Sequence, residues 1–371
     1  MAWPAWLPPA PPLDELVEGL LQIIATPAPP FGETARAKVL LEILSAQGLA
    51  PYQDAAGNVI VRWGDPGPNG IAFLAHLDTA LDLPDIDLRR EGGRLYGHGS
   101  ADDGSGLAVL TALARLVARS GRRPRDPVYF VANVGEEGLG DLRGARGFVA
   151  DHASDLRGVV ALDGRLGDIV HEGIASRRLE AEFQAPGGHS WSDYGSPSAI
   201  HLLGRAIARL DALRLPREPR TTLNVGVISG GTAVNAIARR ATCLIDLRSE
   251  DPSELQRLEQ KVREVFEEEA RPAALVLRCV GDRPGGKLAR SHPLVAAAAA
   301  ALGEVGERVA YATGSTDANA ALGAGVPGIC CGVGRGGLAH TPQEWLDESS
   351  LVPGLAFTAA LLTRLAPPEG T

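Results

Sequence analysis

From residue 13 onward the chain alternates short apolar runs with stretches of helical apolar spacing, and that rhythm leaves few folds open. Apolar residues recur at helical spacing over Leu13 to Ala25 and Glu33 to Gln47, with Gly48 as a stop. Short apolar runs bounded by turn residues follow at Asn58 to Trp63 and Ile71 to Ala75, and both read as strands. The pattern then predicts a helix over Gly104 to Arg119, a strand over Pro127 to Asn133, a short helix over Arg143 to Asp151 and a strand over Gly158 to Leu162. Strands alternating with helices imply an α/β layered domain with a mainly parallel sheet flanked by helices.

Near Ser176 the rhythm changes. Arg178 to Ala185 reads as a strand, Ser198 to Leu213 as a helix, Thr222 to Ser229 and Ala238 to Arg248 as strands. Pro252 to Ala270 reads as a helix opened by Asp251 as N-cap, and Ala273 to Val280 as a last strand. The order β-α-β-β-α-β is the ferredoxin-like pattern of a small α+β domain. Beyond Gly281 the α/β rhythm returns, with a helix from His292 to Leu302, a strand at Val326 to Cys331 and a final helix to about Leu365. The expectation is one domain interrupted by another: residues 1–175 and 284–371 form the first, and 176–283 the insertion.

Composition excludes several function classes. With 45% apolar and 22% charged residues, the chain can bury a sizeable core. A net charge of -9 argues against a nucleic-acid partner held through phosphates. None of the four cysteines sits in a CxxC pair, and adjacent Cys330 and Cys331 point to opposite faces of a strand, so a reducing cytoplasmic setting is expected. The first residues lack the basic start and apolar core of a signal peptide. No run of roughly 18 apolar residues occurs, so no membrane span is expected.

Five clusters place acids and histidines just past predicted strands. In His76-Leu77-Asp78, two residues apart in an extended segment, both side chains point one way. The imidazole can bind a metal while the carboxylate tunes it from outside, although a solvated strand-end pair fits this motif better when it is taken alone. Gly97-His98-Gly99-Ser100-Ala101-Asp102-Asp103-Gly104 puts acids at a helix start, where the dipole favours them and where a simple cap would also place them. Glu136 and Glu137, between glycines, would repel each other unless a cation intervenes; otherwise they are surface acids. Asp163 and His340 complete the set. Together, His76, Asp102, Glu137, Asp163 and His340 are five donors at the carboxyl ends of strands, where open α/β sheets bind ligands. Mixed imidazole and carboxylate donors suit zinc, with cobalt or manganese as alternatives. Five are too many for one tetrahedral ion and right for two ions sharing a carboxylate.

These five motifs, in this order, resemble the di-zinc family of aminoacylase, peptidase T, glutamate carboxypeptidase, succinyl-diaminopimelate desuccinylase and acetylornithine deacetylase. The resemblance covers essentially the whole chain. It implies a zinc-exopeptidase-like fold with an inserted lid or dimerisation domain, and so a homodimer through that domain. It further implies one zinc on His76, Asp102 and Asp163, and another on Asp102, Glu137 and His340. Asp78 would support the site, and Glu136 would take the proton of a water whose pKa both metals lower. In the insertion, Gly187-Gly188-His189-Ser190 resembles a loop whose histidine helps bind the reacting carbonyl, making His189 a catalytic candidate beside the bland reading of a solvated loop histidine. Asn235, in Gly230-Gly231-Thr232-Ala233-Val234-Asn235, resembles a substrate contact. Arg248 either grips a substrate carboxylate or pairs with Asp246 or Glu250. The loop Gly314-Ser315-Thr316-Asp317 and His98 receive no role, and His152, His171, His201 and His292 are expected at the surface.

The function implied is hydrolysis of an amide bond in a small peptide by a di- or tripeptidase or a carboxypeptidase-like enzyme. The alternatives are a deacylase of N-acyl amino acids, of acetylornithine deacetylase or aminoacylase type, and a catalytically silent metal-binding protein. Gly332-Val333-Gly334-Arg335-Gly336-Gly337 matches GxGxxG in letters. The following Leu-Ala-His-Thr-Pro is no helix start, so dinucleotide binding is not expected.

Overall fold

The computed structural model describes residues 3–271 and 273–370. The chain divides into two compact units, one built from residues up to Gly173 and from Gly286 onward, the other from Ile174–Gly285.

The first unit is built on a nine-stranded sheet. In chain order its main elements are α1 (Leu13–Ile24), α2 (Thr34–Ala46), β1 (Val59–Trp63), β2 (Gly70–His76), α3 (Gly104–Arg119), β3 (Val128–Asn133), α4 (Arg143–His152), β4 (Leu156–Leu166) and β5 (Asp168–Gly173). The central strands β3, β2 and β4 lie side by side and parallel. All seven residues of β2 are buried, as a strand covered on both faces must be. Ile71, Phe73 and Ala75 join a core with residues of α1 and α3, whereas Ala72 and Leu74 pack with Ala145, Phe148 and Val149 of α4. The parallel strands therefore end at one edge, which carries His76 and, past Asn133, the Glu136–Glu137 turn.

The second unit holds β6 (Ala175–Gln184), α5 (Ala199–Asp211), β7 (Thr221–Gly230), β8 (Arg240–Ser249), α6 (Pro252–Ala270) and β9 (Ala274–Arg283). Its antiparallel sheet runs β7-β8-β6-β9. Leu179, Ala181 and Phe183 of β6 and Cys243, Ile245 and Leu247 of β8 meet the apolar stripes of α5 and α6 in a separate core. Asp251 caps α6, its carboxylate accepting from the N–H groups of Ser253 (2.7 Å) and Glu254 (3.1 Å).

The chain then returns to the first unit with α7 (Pro293–Glu304), β10 (Ala310–Gly314), α8 (Ala318–Gly323), β11 (Gly328–Gly332) and α9 (Leu351–Leu365). Strand β11 adds parallel to β4, and β5 pairs with it antiparallel. Cys330 and Cys331 fall in different clusters on the two faces of β11, and all four cysteines are free.

Several expectations needed correction. The strand expected to stop at Leu162 continues to Leu166, so Asp163 sits inside β4 and Gly164, at φ +90°, is absorbed within the strand. The structure adds strands β5 and β10 to those the apolar runs predict. His171, expected at the surface, is buried in β5; its Nδ1 lies 2.8 Å from the Leu288 carbonyl oxygen and its ring meets Tyr311 edge-on. Alternation along β5 buries Ile169 and His171 together. A small antiparallel sheet of Arg335–Gly337, Trp345–Asp347, Arg94–Tyr96 and Arg89–Glu91 is added to the predicted elements; strands of three residues are too short to show a periodicity in sequence. It ties the loop after Tyr96 to the loop before Trp345. Among the described residues no helix is long and apolar enough to cross a membrane.

Candidate active site

The site grows from the end of β2. His76 is 1% exposed; its Nδ1 lies 2.9 Å from the backbone oxygen of Asp78 and its Nε2 3.0 Å from Asp102 Oδ1. A carbonyl can only accept, so Nδ1 carries a proton and a neutral ring would present its lone pair at Nε2. The buried Asp78 carboxylate does something else: it accepts from the N–H groups of Glu136 (2.9 Å) and Glu137 (2.8 Å). Its carbonyl thus orients the imidazole while its carboxylate pins the turn that carries both glutamates. Behind Asp78 lies Arg36, 1% exposed, donating to the carbonyls of Thr26 (2.7 Å) and Leu77 (2.7 Å). Burial lowers the Arg36 pKa to about 10 against the opposing pull of Asp78.

Asp102 stands between two imidazoles. Its Oδ1 meets His76 Nε2, and its Oδ2 lies 3.1 Å from His340 Nε2. That nitrogen is in turn 2.9 Å from Glu137 Oε1. One donor atom each from His76, Asp102 and Glu137 falls within 4.8 Å of the others, a group able to hold a metal ion. His340 reaches this position from a loop in which both it (φ +62°) and Leu338 (φ +58°) adopt left-handed backbone conformations, which side-chain-bearing residues take at a cost of roughly 1 kcal/mol or more.

Glu344 holds the loop bearing Asp102. Its carboxylate is fully buried and accepts from the N–H groups of Gly99, Ala101 and Asp102, each at 2.8 Å. His98 lies behind the same loop, with Nδ1 3.2 Å from Glu344 and Nε2 accepting from the Leu81 N–H at 2.9 Å. Asp103 caps α3 through the Gly106 N–H (3.1 Å) and accepts from the His76 N–H (3.0 Å).

Charges in this cluster are strongly coupled. Burial works against a charged His76, but its hydrogen bond to Asp102 and the carboxylates of Asp103, Asp102 and Asp78 prevail and raise its pKa well above the usual imidazole value. Hydrogen bonds to Asp102 and Glu137 raise that of His340 to about 10. Burial pushes Asp102 upward, yet the hydrogen bonds from His340 and His76 hold it well below the usual carboxylate range. Asp163 is raised to about 7, by burial first and the Asp102 charge second.

Asp163 stands outside the three-residue group but shares its field, and the Cys330 thiol donates to its carbonyl at 3.1 Å. Asp317, in the loop left without a role, accepts from the Asn133 side chain at 2.7 Å. In the second unit, His189 is exposed and its Nδ1 accepts from the N–H groups of Trp191 (3.2 Å) and Ser192 (3.4 Å), so a neutral ring carries its proton on Nε2. Asn235 is also exposed, its carbonyl accepting from the Ser190 N–H at 3.0 Å, which joins the two candidate loops. Arg248 pairs with Asp246 at 2.7 Å, the bland alternative for that residue.

Sequence reasoning missed Arg36, Glu344 and the placement of His98. Each acts on backbone groups far away in the chain, and no local spacing announces that.

A profile of the Peptidase family M20/M25/M40 matches residues 72–364. The chain belongs to that family. As a member it is a hydrolase acting on amide bonds. It is 26% identical to the Uncharacterized protein YqjE of Bacillus subtilis over 95% of this chain and 98% of that one. It is likewise 26% identical to an acetylornithine deacetylase of Proteus mirabilis, covering 92% and 94%. Among solved structures, a tripeptidase of Staphylococcus aureus superimposes with a TM-score of 0.80 at 21% identity, covering 96% of this chain and 99% of that one. At that identity the likeness establishes the fold. Within the Gly332–Gly337 run, Arg335–Gly337 is a strand rather than the start of a helix.

Proposed function

We propose that this M20-family chain is a di-zinc peptidase that cleaves small peptides such as di- and tripeptides. The observation that carries the reading is Asp102, whose two carboxylate oxygens each face a different imidazole, His76 on one side and His340 on the other. One carboxylate presented to two donor sets is what two ions sharing a ligand require. His76, Asp102 and Asp163 would hold the first ion, and Asp102, Glu137 and His340 the second. The acidic, imidazole-rich donor set fits zinc, with cobalt or manganese as substitutes. When bound, such ions lower the pKa of water and polarise a carbonyl.

The chain's own residues supply the rest. Glu136 accepts the proton of the attacking water and passes it to the departing amine. Asp78 fixes the Glu136–Glu137 backbone, so the base and the ligand leave the turn in set directions. The His189 Nε2–H is a donor suited to the oxygen that gains charge. Asn235 would contact polar groups of the substrate.

The tripeptidase and acetylornithine deacetylase among the relatives both fit a linear amide as the scissile bond, and the deacetylase favours a second reading, removal of acyl groups from N-acyl amino acids. A screen of di- and tripeptides against N-acetyl amino acids, with zinc, cobalt and manganese added separately, tests the choice. Peptides are expected to turn over faster, with activity lost to a chelator and restored by metal. Faster turnover of N-acetyl amino acids selects the deacylase, and no turnover on any amide selects a silent metal-binding protein.

The second unit is proposed as a lid and dimerisation domain. Strand β7 is a sheet edge, and Val227 and Ile228 on it are 53% and 60% exposed, an unguarded apolar edge that a second copy would cover. Sedimentation is expected to report a dimer that V227D/I228D converts to monomer; a wild-type monomer at micromolar concentration contradicts this. The free cysteines fit a cytoplasmic location.

A further inference from the structure

Gly135 opens the turn that carries Glu136 and Glu137, and a side chain with no role so far lies against it. Gly135 takes a left-handed backbone conformation, φ +67°. A Cβ there would lie 2.8 Å from Arg143 Cγ and 2.9 Å from Arg143 Nε, so the arginine stem lies directly on the Gly135 backbone. Gly140 packs on the same residue: a Cβ at 140 would lie 2.6 Å from Gly135 Cα and 2.7 Å from its carbonyl oxygen. Crowded by both, Gly135 has little room to rotate, and the direction in which Glu136 leaves it is set accordingly.

Arg143 is itself held. Its Nη2 donates to Glu33 Oε2 at 2.6 Å and its Nη1 to the Ala56 carbonyl at 2.9 Å. The guanidinium carbon lies 5.2 Å from the centroid of the Phe31 ring. The Glu33 side chain is 3% exposed, and its Oε1 has no hydrogen-bond partner among the described residues. A carboxylate so deeply buried depends on its guanidinium partner. Glu33 directly precedes α2, whose Arg36 donates to the Leu77 carbonyl beside Asp78. The start of α2 therefore reaches the glutamate turn by two routes. One runs through Arg36 and Leu77 to Asp78, which accepts from both glutamate N–H groups; the other runs through Glu33 and Arg143 to Gly135.

We propose that Arg143, fixed by Glu33, is a positioning residue for amide hydrolysis: it holds Gly135 so that Glu136 is aimed at the attacking water. This rests on the reading of Glu136 as general base and adds the pair that directs it. Both residues act through Gly135 rather than by contact with the reacting atoms.

The test is a double-mutant cycle on the metal-loaded enzyme, with the peptide or N-acetyl amino acid that wild type turns over fastest. Arg143→Ala is expected to lower kcat about 10- to 100-fold, the scale of a displacement of about 1 Å, with KM and bound metal little changed. Arg143→Lys, which keeps the stem and the charge, should recover much of that loss. Glu33→Gln should lower kcat by a smaller factor in the same direction. In a Glu136→Gln background, single-turnover rates should fall no more than about twofold on adding Arg143→Ala, because the group it aims is already gone. Denaturant unfolding on the same samples separates folding from positioning, and Glu33→Gln carries the cycle where Arg143→Ala does not fold. Lower stability with kcat per folded molecule unchanged overturns the proposal, as does an equal loss in both backgrounds; either leaves the base reading intact. Wild-type kcat in Glu136→Gln alone overturns the base reading and this proposal with it.

Discussion

Replacing Glu136 with glutamine is expected to lower kcat by about 10²- to 10⁴-fold, the usual contribution of a general base, while bound metal stays unchanged. The substitution keeps the side chain's shape and removes only its capacity to take a proton. The two N–H bonds to Asp78 that set the turn come from the backbone and survive the change. Loss in kcat with KM little altered would mark an interaction made in the transition state. Single-turnover kinetics with metal quantification on the same samples checks this, and retained activity in Glu136→Gln would move the base elsewhere.

The second large effect is expected at Glu344, whose carboxylate contacts the backbone of the loop bearing Asp102. Glu344→Ala leaves the N–H groups of Gly99, Ala101 and Asp102 without their shared acceptor inside the protein. Each unsatisfied buried donor costs about 1–3 kcal/mol, and the three act on one loop, so a total of about 3–5 kcal/mol is expected rather than the full sum. The loop that relaxes carries Asp102, so metal affinity should fall about 10- to 100-fold as well. Denaturant unfolding and metal titration measure the two effects separately. A stable Glu344→Ala protein with wild-type metal affinity would show that the loop holds its shape without the carboxylate.

The layered architecture was legible because long, strongly periodic segments dominate it: α3 and α6 begin and end where their apolar spacing and the Asp251 cap indicate. The site residues announced themselves less directly. His76, Asp102 and Glu137 each follow a strand or open a helix, and each motif alone is ambiguous; meaning came from five such motifs pointing to one sheet edge. What stayed hidden depends on contacts between distant segments. Glu344 looks like any surface acid after a proline until the pairing of Trp345 with Tyr96 brings it under the Asp102 loop. Arg36 looks like a solvated helix residue until α2 packs it against Leu77. The carbonyl of Asp78, rather than its carboxylate, orients His76, a distinction that residue spacing cannot make.

In the proposed site, Asp102 is shared by two metal ions. Crystals grown with zinc and measured at wavelengths on either side of the zinc edge test it most directly. Two anomalous peaks are expected to flank the Asp102 carboxylate, one toward His76 and Asp163, the other toward Glu137 and His340. A single peak, or peaks away from Asp102, would contradict it.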